Sequence, residues 1–355
     1  MQIPMIDEKN YKAQMSTVVL PALRRCREEG WMDPAHAAPL DPPASPGKLH
    51  YVCYSAEKFH GLNIDYAQAR FRGAIVISHG FTEFAAKYAE MVWYFLLAGY
   101  SVCVFEHRGH GYSPRDVSDP SLVWIDDWHR YVDDLAQFCK TVGKEYASDQ
   151  QLHLYAHSMG GGIGAALVEQ YPALLDKAVL SSPMIAPVTG MPNWLTGGFV
   201  DAMCAVGFDK HIVPGHSEFT PHLDMAQHAG ASEPRVTWYH ELRRSDSHYQ
   251  TYAATFGWVR QTLRLSRAVL RPDVCGRIET PIMLFQAGKD VWVLNEAEKR
   301  FVDEVRGSGG DIVMERIPDS VHEIFSMPNE VLEPYVHTVL DFFDTPALTV
   351  IGKDD

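Results

Sequence analysis

The residues most suited to chemistry in this chain surround a serine. Ala156-His157-Ser158-Met159-Gly160 lies between a predicted strand, Gln151–Ala156, and a predicted helix, Met159–Tyr171. A serine hydroxyl is a poor nucleophile at neutral pH and needs a neighbouring base, itself oriented by a third group. It also needs a sharp turn to expose it, where strand and helix come so close that only small neighbours fit. Gly160 meets that need, and Ala156 stands where the G-x-S-x-G pattern has its first glycine. The helix N-terminus would then point at the site and favour negative charge on a reacting oxygen.

A dinucleotide-binding reading competes for the same segment, because Gly160-x-Gly162-x-x-Ala165 also follows a strand. That fingerprint needs an acidic residue roughly 20 positions on, after the next strand. Here that strand ends in Ser181-Ser182-Pro183 instead. A phosphate-binding P-loop fails because no Gly-Lys-Ser/Thr follows.

Two further signals complete a catalytic set. His79-Gly80-Phe81-Thr82-Glu83 follows the strand Gly73–Ser78. A backbone amide from this loop, with the amide after the nucleophile, would form an oxyanion hole, and Phe81 and Met159 are the candidates. Asp290 follows the strand Pro281–Ala287, and His322 follows the strand Asp311–Ile317. Both sit beyond the carboxyl ends of strands, where open α/β sheets place their sites. Asp319 is the rival acid, but it lies only three residues before His322.

The elements that must position these groups follow a β-then-α rhythm. Buried strands are predicted at Gly73–Ser78, Tyr100–Phe105, Gln151–Ala156 and Lys177–Ser182. Helices are predicted at Lys87–Ala98, Asp126–Tyr146 and Met159–Tyr171. Short apolar strands alternating with helices imply a mostly parallel sheet covered on both faces. The rhythm breaks over Pro183–Asp273 and returns with Pro281–Ala287, a helix at Asn295–Val305, a strand at Asp311–Ile317 and a final helix at Asn329–Phe343. The expected organisation is an N-terminal helical extension and linker over 1–47, a core of 48–183 and 274–355, and an inserted, mainly helical cap over 184–273. Within the extension, Tyr11–Glu29 reads as an amphipathic helix ending at Gly30 and kinked at Pro21, and Asp33–Gly47 as an extended Pro/Ala-rich linker. Leu49–Tyr54 and Leu62–Tyr66 read as an opening pair of strands.

Composition narrows the partners. A formal net charge of −14 opposes binding to nucleic acid and to anionic lipid, although a local apolar patch on the cap could touch a membrane transiently. The six cysteines contain no C-x-x-C pair, and they fit free thiols in a reducing cytoplasm. The cap histidines His211, His216, His222, His228, His240 and His248 lack ligand spacing, so no metal is expected. No basic leader with an apolar stretch opens the chain, and no apolar run approaches the ~20 residues of a membrane span.

Three motifs together carry a family likeness. Ser78-His79-Gly80-Phe81-Thr82-Glu83, Glu106-His107-Arg108-Gly109-His110-Gly111-Tyr112-Ser113 and Ala156-His157-Ser158-Met159-Gly160-Gly161 resemble the monoacylglycerol lipase and bacterial lysophospholipase group of serine hydrolases. The Ala-His-Ser-Met-Gly-Gly form, Tyr131-Val132-Asp133-Asp134-Leu135, Gln286-Ala287 and the helical extension are most similar to the bacterial lysophospholipases. The resemblance implies the α/β-hydrolase fold, with Ser158 as nucleophile, His322 as base and Asp290 as orienting acid, in that family's chain order. It implies Phe81 and Met159 as oxyanion donors, Glu83 and Arg108 as supports of the active-site loops, and no cofactor. Hydrolysis of a single-chain lipid ester, a monoacylglycerol or lysophospholipid, is the expected activity. Hydrolysis of another small ester, a thioester or an amide (an aminopeptidase activity included) stays open, as does a non-catalytic ligand receptor on the same fold. The cap stretch Met191–Phe208 carries Trp194, Leu195 and Met203 at helical spacing, either packing on the core or lining a lid for the acyl chain.

Overall fold

The computed structural model describes residues 3–36, 47–216 and 219–345. Eight strands form one sheet: β1 (Arg27–Met32), β2 (Leu49–Tyr54), β3 (Gly73–Ser78), β4 (Tyr100–Phe105), β5 (Gln151–His157), β6 (Lys177–Ser181), β7 (Ile282–Ala287) and β8 (Ile312–Ile317). Their spatial order is β1-β2-β4-β3-β5-β6-β7-β8. β1–β2 and β2–β4 are antiparallel and the other pairs are parallel. Every residue of β3, β4 and β6 is buried, which explains their unbroken apolar runs. The two edges differ: β1 exposes Arg27, Glu28 and Glu29, and β8 exposes Val313, Glu315 and Arg316.

The long helices are α1 (Ala89–Leu97), α2 (His129–Phe138), α3 (Ser158–Gln170), α4 (Asn193–Ala205), α5 (Glu233–Ser245), α6 (Phe256–Val269), α7 (Asn295–Gly307) and α8 (Asn329–Asp344). Two apolar clusters cover the sheet. One joins residues of α2, α3, α6 and α7; the other joins α1, α8 and the N-terminal helical run. Helix α6 comes from the segment between β6 and β7, yet its Trp258, Leu265 and Val269 sit in the first cluster. Among the described residues, no helix is long and apolar enough to cross a membrane.

The N-terminal region departs from the expected pattern. Helix spans only Tyr11–Gln14, Met15–Val19 and Leu20–Cys26, the middle piece being π-wound just before Pro21, where an N–H is missing. Arg27–Met32 is strand, and it supplies the partner of Leu49–Tyr54 that Leu62–Tyr66 was expected to supply. Gly30 therefore ends no helix; it lies within β1, where a Cβ would meet the Tyr51 ring at 2.4 Å. Most of the expected linker, residues 37–46, lies outside the described residues.

Buried charge ties the extension to the rest. Glu90 of α1 accepts the Tyr11 and Tyr94 hydroxyls at 2.8 and 2.5 Å, and Arg235 of α5 pairs with both its carboxylate oxygens at 2.9 and 2.8 Å. Arg235 also donates to the Met327 carbonyl and to Asn329, while Ser232 donates to Glu8. Helix α5 is thus fixed to the core and to the extension at once. On the other side, His50 of β2 lies between Glu106 (2.7 Å) and Glu29 of β1 (2.8 Å).

This last arrangement predicts a pH dependence of stability. Burial pushes the His50 imidazole down, but Glu106 and then Glu29 outweigh it and hold the pKa above the ordinary histidine value. A pKa raised on folding stabilises fully below the unfolded value of ~6.5 and loses that contribution as pH rises through the folded pKa. The stability difference between wild type and His50→Gln should therefore be largest at about pH 6, just below the unfolded value, and shrink as the pH rises above it. Denaturant titrations at each pH measure it; a difference that grows with pH would contradict the charged pairing.

Candidate active site

The parallel strands bring the loops together at one end of the sheet. Ser78 pairs in register with Ala156, His157 with Ser181, Ser181 with Phe285 and Ile317 with Ala287. The residues just beyond these positions are His79–Glu83, Ser158, Ser182, Asp290 and His322, so the candidate groups share the carboxyl edge of the sheet.

Ser158 opens α3 with φ +51°, a left-handed conformation rare for a non-glycine residue. The turn is tight: a Cβ on Gly160 would lie 2.2 Å from the Ser78 carbonyl oxygen and 2.6 Å from that of His79. Only glycine lets the first turn of α3 press against the end of β3. Ala156 is accommodated by a second glycine further along the helix, Gly164, where a Cβ would stand 3.2 Å from the Ala156 methyl. The Ser158 carbonyl accepts the Met184 amide at 2.8 Å, fixing the elbow from the far side. Thr82 (φ +60°) and Ser182 (φ +43°) are held in the same unusual region at the ends of β3 and β6.

Ser158, His322 and Asp290 form a continuous relay. His322 Nε2 is 2.8 Å from Ser158 Oγ, and His322 Nδ1 is 2.6 Å from Asp290 Oδ2. The Asp290 side chain is fully buried, and its Oδ1 accepts the amides of Trp292 and Val293 at 2.8 and 3.1 Å. Asp319, in contrast, is exposed and paired with Lys289. Met159 lies in the first turn of α3, whose N–H groups have no intrahelical acceptor. Phe81 is on the facing loop, against Trp258 at 4.2 Å between ring centres.

The floor beneath the Phe81 loop is built from neutral histidines. His79 Nδ1 donates to the Gly80 carbonyl (2.7 Å), the His107 amide donates to His79 Nε2 (3.0 Å), and His107 Nε2 meets Ser78 Oγ (2.8 Å). Burial lowers all three of His79, His107 and His110, the last two strongly. Arg108 pairs with buried Asp134 and donates to the His36 carbonyl. Glu83 receives the Gly80 amide at 2.6 Å. Behind the acid, buried Glu298 accepts from Gln286 at 2.9 Å, and burial pushes its pKa up to about 8.

The cap residues expected to meet substrate, Trp194, Leu195 and Met203, lie on α4. Helix α4 buries Thr196, Gly197 and Val200. Trp194 and Leu195 are 72% and 44% exposed, and Met203 is half-buried. Lys87 and Glu323 carry no motif of their own, yet they sit among the site loops. The signals that could have found them are the i, i+4 spacing of Glu83 and Lys87 and the position of Glu323 directly after His322.

The strand order, the helices on both faces and the serine elbow define an α/β-hydrolase. The family model described as "Serine aminopeptidase, S33" matches residues 69–329, well over half of the chain, and the protein belongs to that family of hydrolases. The chain is 27% identical to lysophospholipase L2 of Escherichia coli over 279 residues, covering 76% of this chain and 80% of that one. It is 25% identical to a monoacylglycerol lipase of Mycolicibacterium smegmatis over 261 residues, covering 74% and 85%. The fold matches a soluble variant of monoglyceride lipase from Saccharomyces cerevisiae with TM-score 0.63 at 17% identity, over 88% of this chain and 96% of that one. The kinship expected from the three motifs, with the monoacylglycerol lipase and lysophospholipase group, is borne out.

The geometry separates the two candidate acids by experiment. Asp290→Asn should lower turnover on the order of 10⁴-fold, as for a triad aspartate that fixes the histidine tautomer. Asp319→Asn should leave turnover within about twofold, as for an exposed ion pair. Steady-state kinetics on both variants decide it, and the reverse ranking would exclude Asp290.

Proposed function

We propose that the protein is a serine ester hydrolase that cleaves single-chain lipid esters through an acyl-enzyme on Ser158. The observation that carries this reading is the unbroken relay of 2.8 and 2.6 Å from Ser158 through His322 to Asp290. His322 Nε2 takes the Ser158 proton as Oγ attacks the ester carbonyl, and Asp290 stabilises the imidazolium. The carbonyl oxygen, now negative, receives the amides of Phe81 and Met159. The tetrahedral adduct collapses, the alcohol leaves with the proton from His322, and water repeats the sequence to release the fatty acid.

The lipid assignment draws on the relatives' names and on surface chemistry. In this reading 184–273 is a cap on the core of 48–183 and 274–355, and 1–47 is an extension. Met191, Trp194, Leu195 and Phe199 of the cap are exposed, as are Val291 and Trp292 beside Asp290. The Val188 amide donates to the Trp292 carbonyl (2.8 Å) and the Leu294 amide to that of Ala186 (2.9 Å), which joins the two apolar stretches. Such a surface suits contact with a membrane or micelle holding the substrate, despite the acidic net charge. An aminopeptidase would need a carboxylate for the substrate ammonium, and Glu83 and Glu323 on the site loops are both bonded to Lys87.

A fluorophosphonate should label Ser158 and abolish hydrolysis, and Ser158→Ala should escape both. Across acyl esters from acetate to palmitate, kcat/KM should rise with chain length, since each buried methylene contributes about 0.8 kcal/mol. Trp194→Ala should slow hydrolysis of lysophospholipid in micelles while leaving a soluble butyrate ester unaffected. A wild-type preference for acetate would remove the lipid assignment, and labelling of another residue would remove the nucleophile.

A further inference from the structure

A buried cation lies between the loop that carries Phe81 and the loop that carries His322. Lys87 is almost wholly buried; its ammonium is 2.7 Å from Glu83 Oε1 and 2.6 Å from Glu323 Oε1. The two carboxylates belong to segments 240 residues apart in the chain. Each does something specific on its own loop. Glu83 Oε2 accepts the Gly80 amide (2.6 Å) and the Tyr88 hydroxyl (2.5 Å), and so sets the backbone leading into Phe81. His157, the residue before Ser158, also approaches Glu83 through Nδ1 at 3.3 Å. Glu323 directly follows His322 and closes its own turn by accepting Ser326 Oγ at 2.9 Å.

We infer that Lys87 is a positioning residue that sets the distance between the oxyanion-hole loop and the catalytic histidine, acting through Glu83 on one and Glu323 on the other. The inference rests on the hydrolase reading above. The ammonium offers three donors, and two are spent on carboxylates of different loops. Aromatic rings close the remaining sides: Tyr239 of α5 lies 4.0 Å and Phe325 lies 5.3 Å from the nitrogen. The Tyr239 hydroxyl reaches the carbonyl of Thr82, the residue after Phe81, which is held at φ +60°. A β-branched residue keeps such a backbone only when its surroundings impose it.

Burial opposes charge on all three groups, but their mutual attraction outweighs it. Glu83 is held well below the ordinary carboxylate value, Glu323 is also held below it, and Lys87 is pushed above the ordinary lysine value. Without the ammonium, the two carboxylates would face each other no further apart than its two hydrogen bonds laid end to end. Their repulsion would spread the loops and carry the Phe81 amide away from where the oxyanion forms. Ser158 and its access to substrate would be left in place. That interaction is made only as charge develops, so its loss appears in kcat and not in KM.

The test measures kcat and KM on a soluble short-chain ester for wild type, Lys87→Met, Lys87→Arg and Glu323→Gln. Circular dichroism and thermal midpoints report folding, and fluorophosphonate labelling reports Ser158. Lys87→Met should lower kcat by about 10²-fold, the scale of an ångström-sized misplacement, with KM within about twofold. Lys87→Arg, which can still bridge two carboxylates, should recover most of that loss. Should Lys87→Met fail to fold, Glu323→Gln, which keeps the Lys87–Glu83 pair, decides: it should lower kcat about tenfold at unchanged KM. Folded Lys87→Met with wild-type kcat, a loss confined to KM, absence of rescue by arginine, or unchanged kcat in Glu323→Gln would each overturn the role. A wild type that neither hydrolyses esters nor reacts at Ser158 would instead remove the hydrolase reading.

Discussion

One backbone conformation organises the whole site: the left-handed turn at Ser158. It is unfavourable by itself, by on the order of 1–3 kcal/mol, and persists only because its surroundings fix every residue around it. Gly160 presses the helix against the Ser78 and His79 carbonyls, and the Met184 amide holds the Ser158 carbonyl from the segment that follows β6. The parallel register does the rest. Because β3, β5, β6, β7 and β8 run parallel in one sheet, the hydroxyl, the imidazole and the carboxylate arrive at one edge from segments far apart in the chain.

Around that turn the charges are arranged in two regimes. Directly under the Phe81 loop, His79, His107 and His110 are kept neutral by burial and serve as hydrogen-bonding spacers. One step outward, Glu83, Lys87 and Glu323 are ionised because each has its counter-charge within hydrogen-bond reach. The division is physically reasonable. Under the proposed mechanism, neutral groups next to the forming oxyanion would avoid a competing charge, while ion pairs set back from it would supply rigid geometry.

What could be read from sequence follows the strength of the local pattern. The buried strands were legible because burial on both faces removes polar residues, and the turn at Ser158 was legible because close packing leaves glycine behind. Asp290 and His322 were legible through their places after strands. Arg27–Gly30 reads in sequence as the end of a helix because Arg-Glu-Glu-Gly-Trp-Met on an exposed edge carries no alternation, and the pairing of Arg27–Met32 with Leu49–Tyr54 is a tertiary fact. Helix α6 was lost within an irregular stretch, although its burial in the core is extensive. The Lys87 cluster left no linear trace beyond one i, i+4 pair, since its members meet only through folding.

The charged edges of the sheet bear on how copies of this protein can meet. An open sheet ends in rows of unpaired amides and carbonyls that could template a strand from another chain. Here Glu28 pairs with Lys58 and Arg27 with Glu29 along β1, and Glu315 and Arg316 stand out from β8. A strand arriving at either border would have to strip water from these groups without replacing their partners. Growth of the sheet from copy to copy is thereby disfavoured, and the fold keeps its aggregation-prone borders closed with the same acidic and basic residues that give the chain its polar surface.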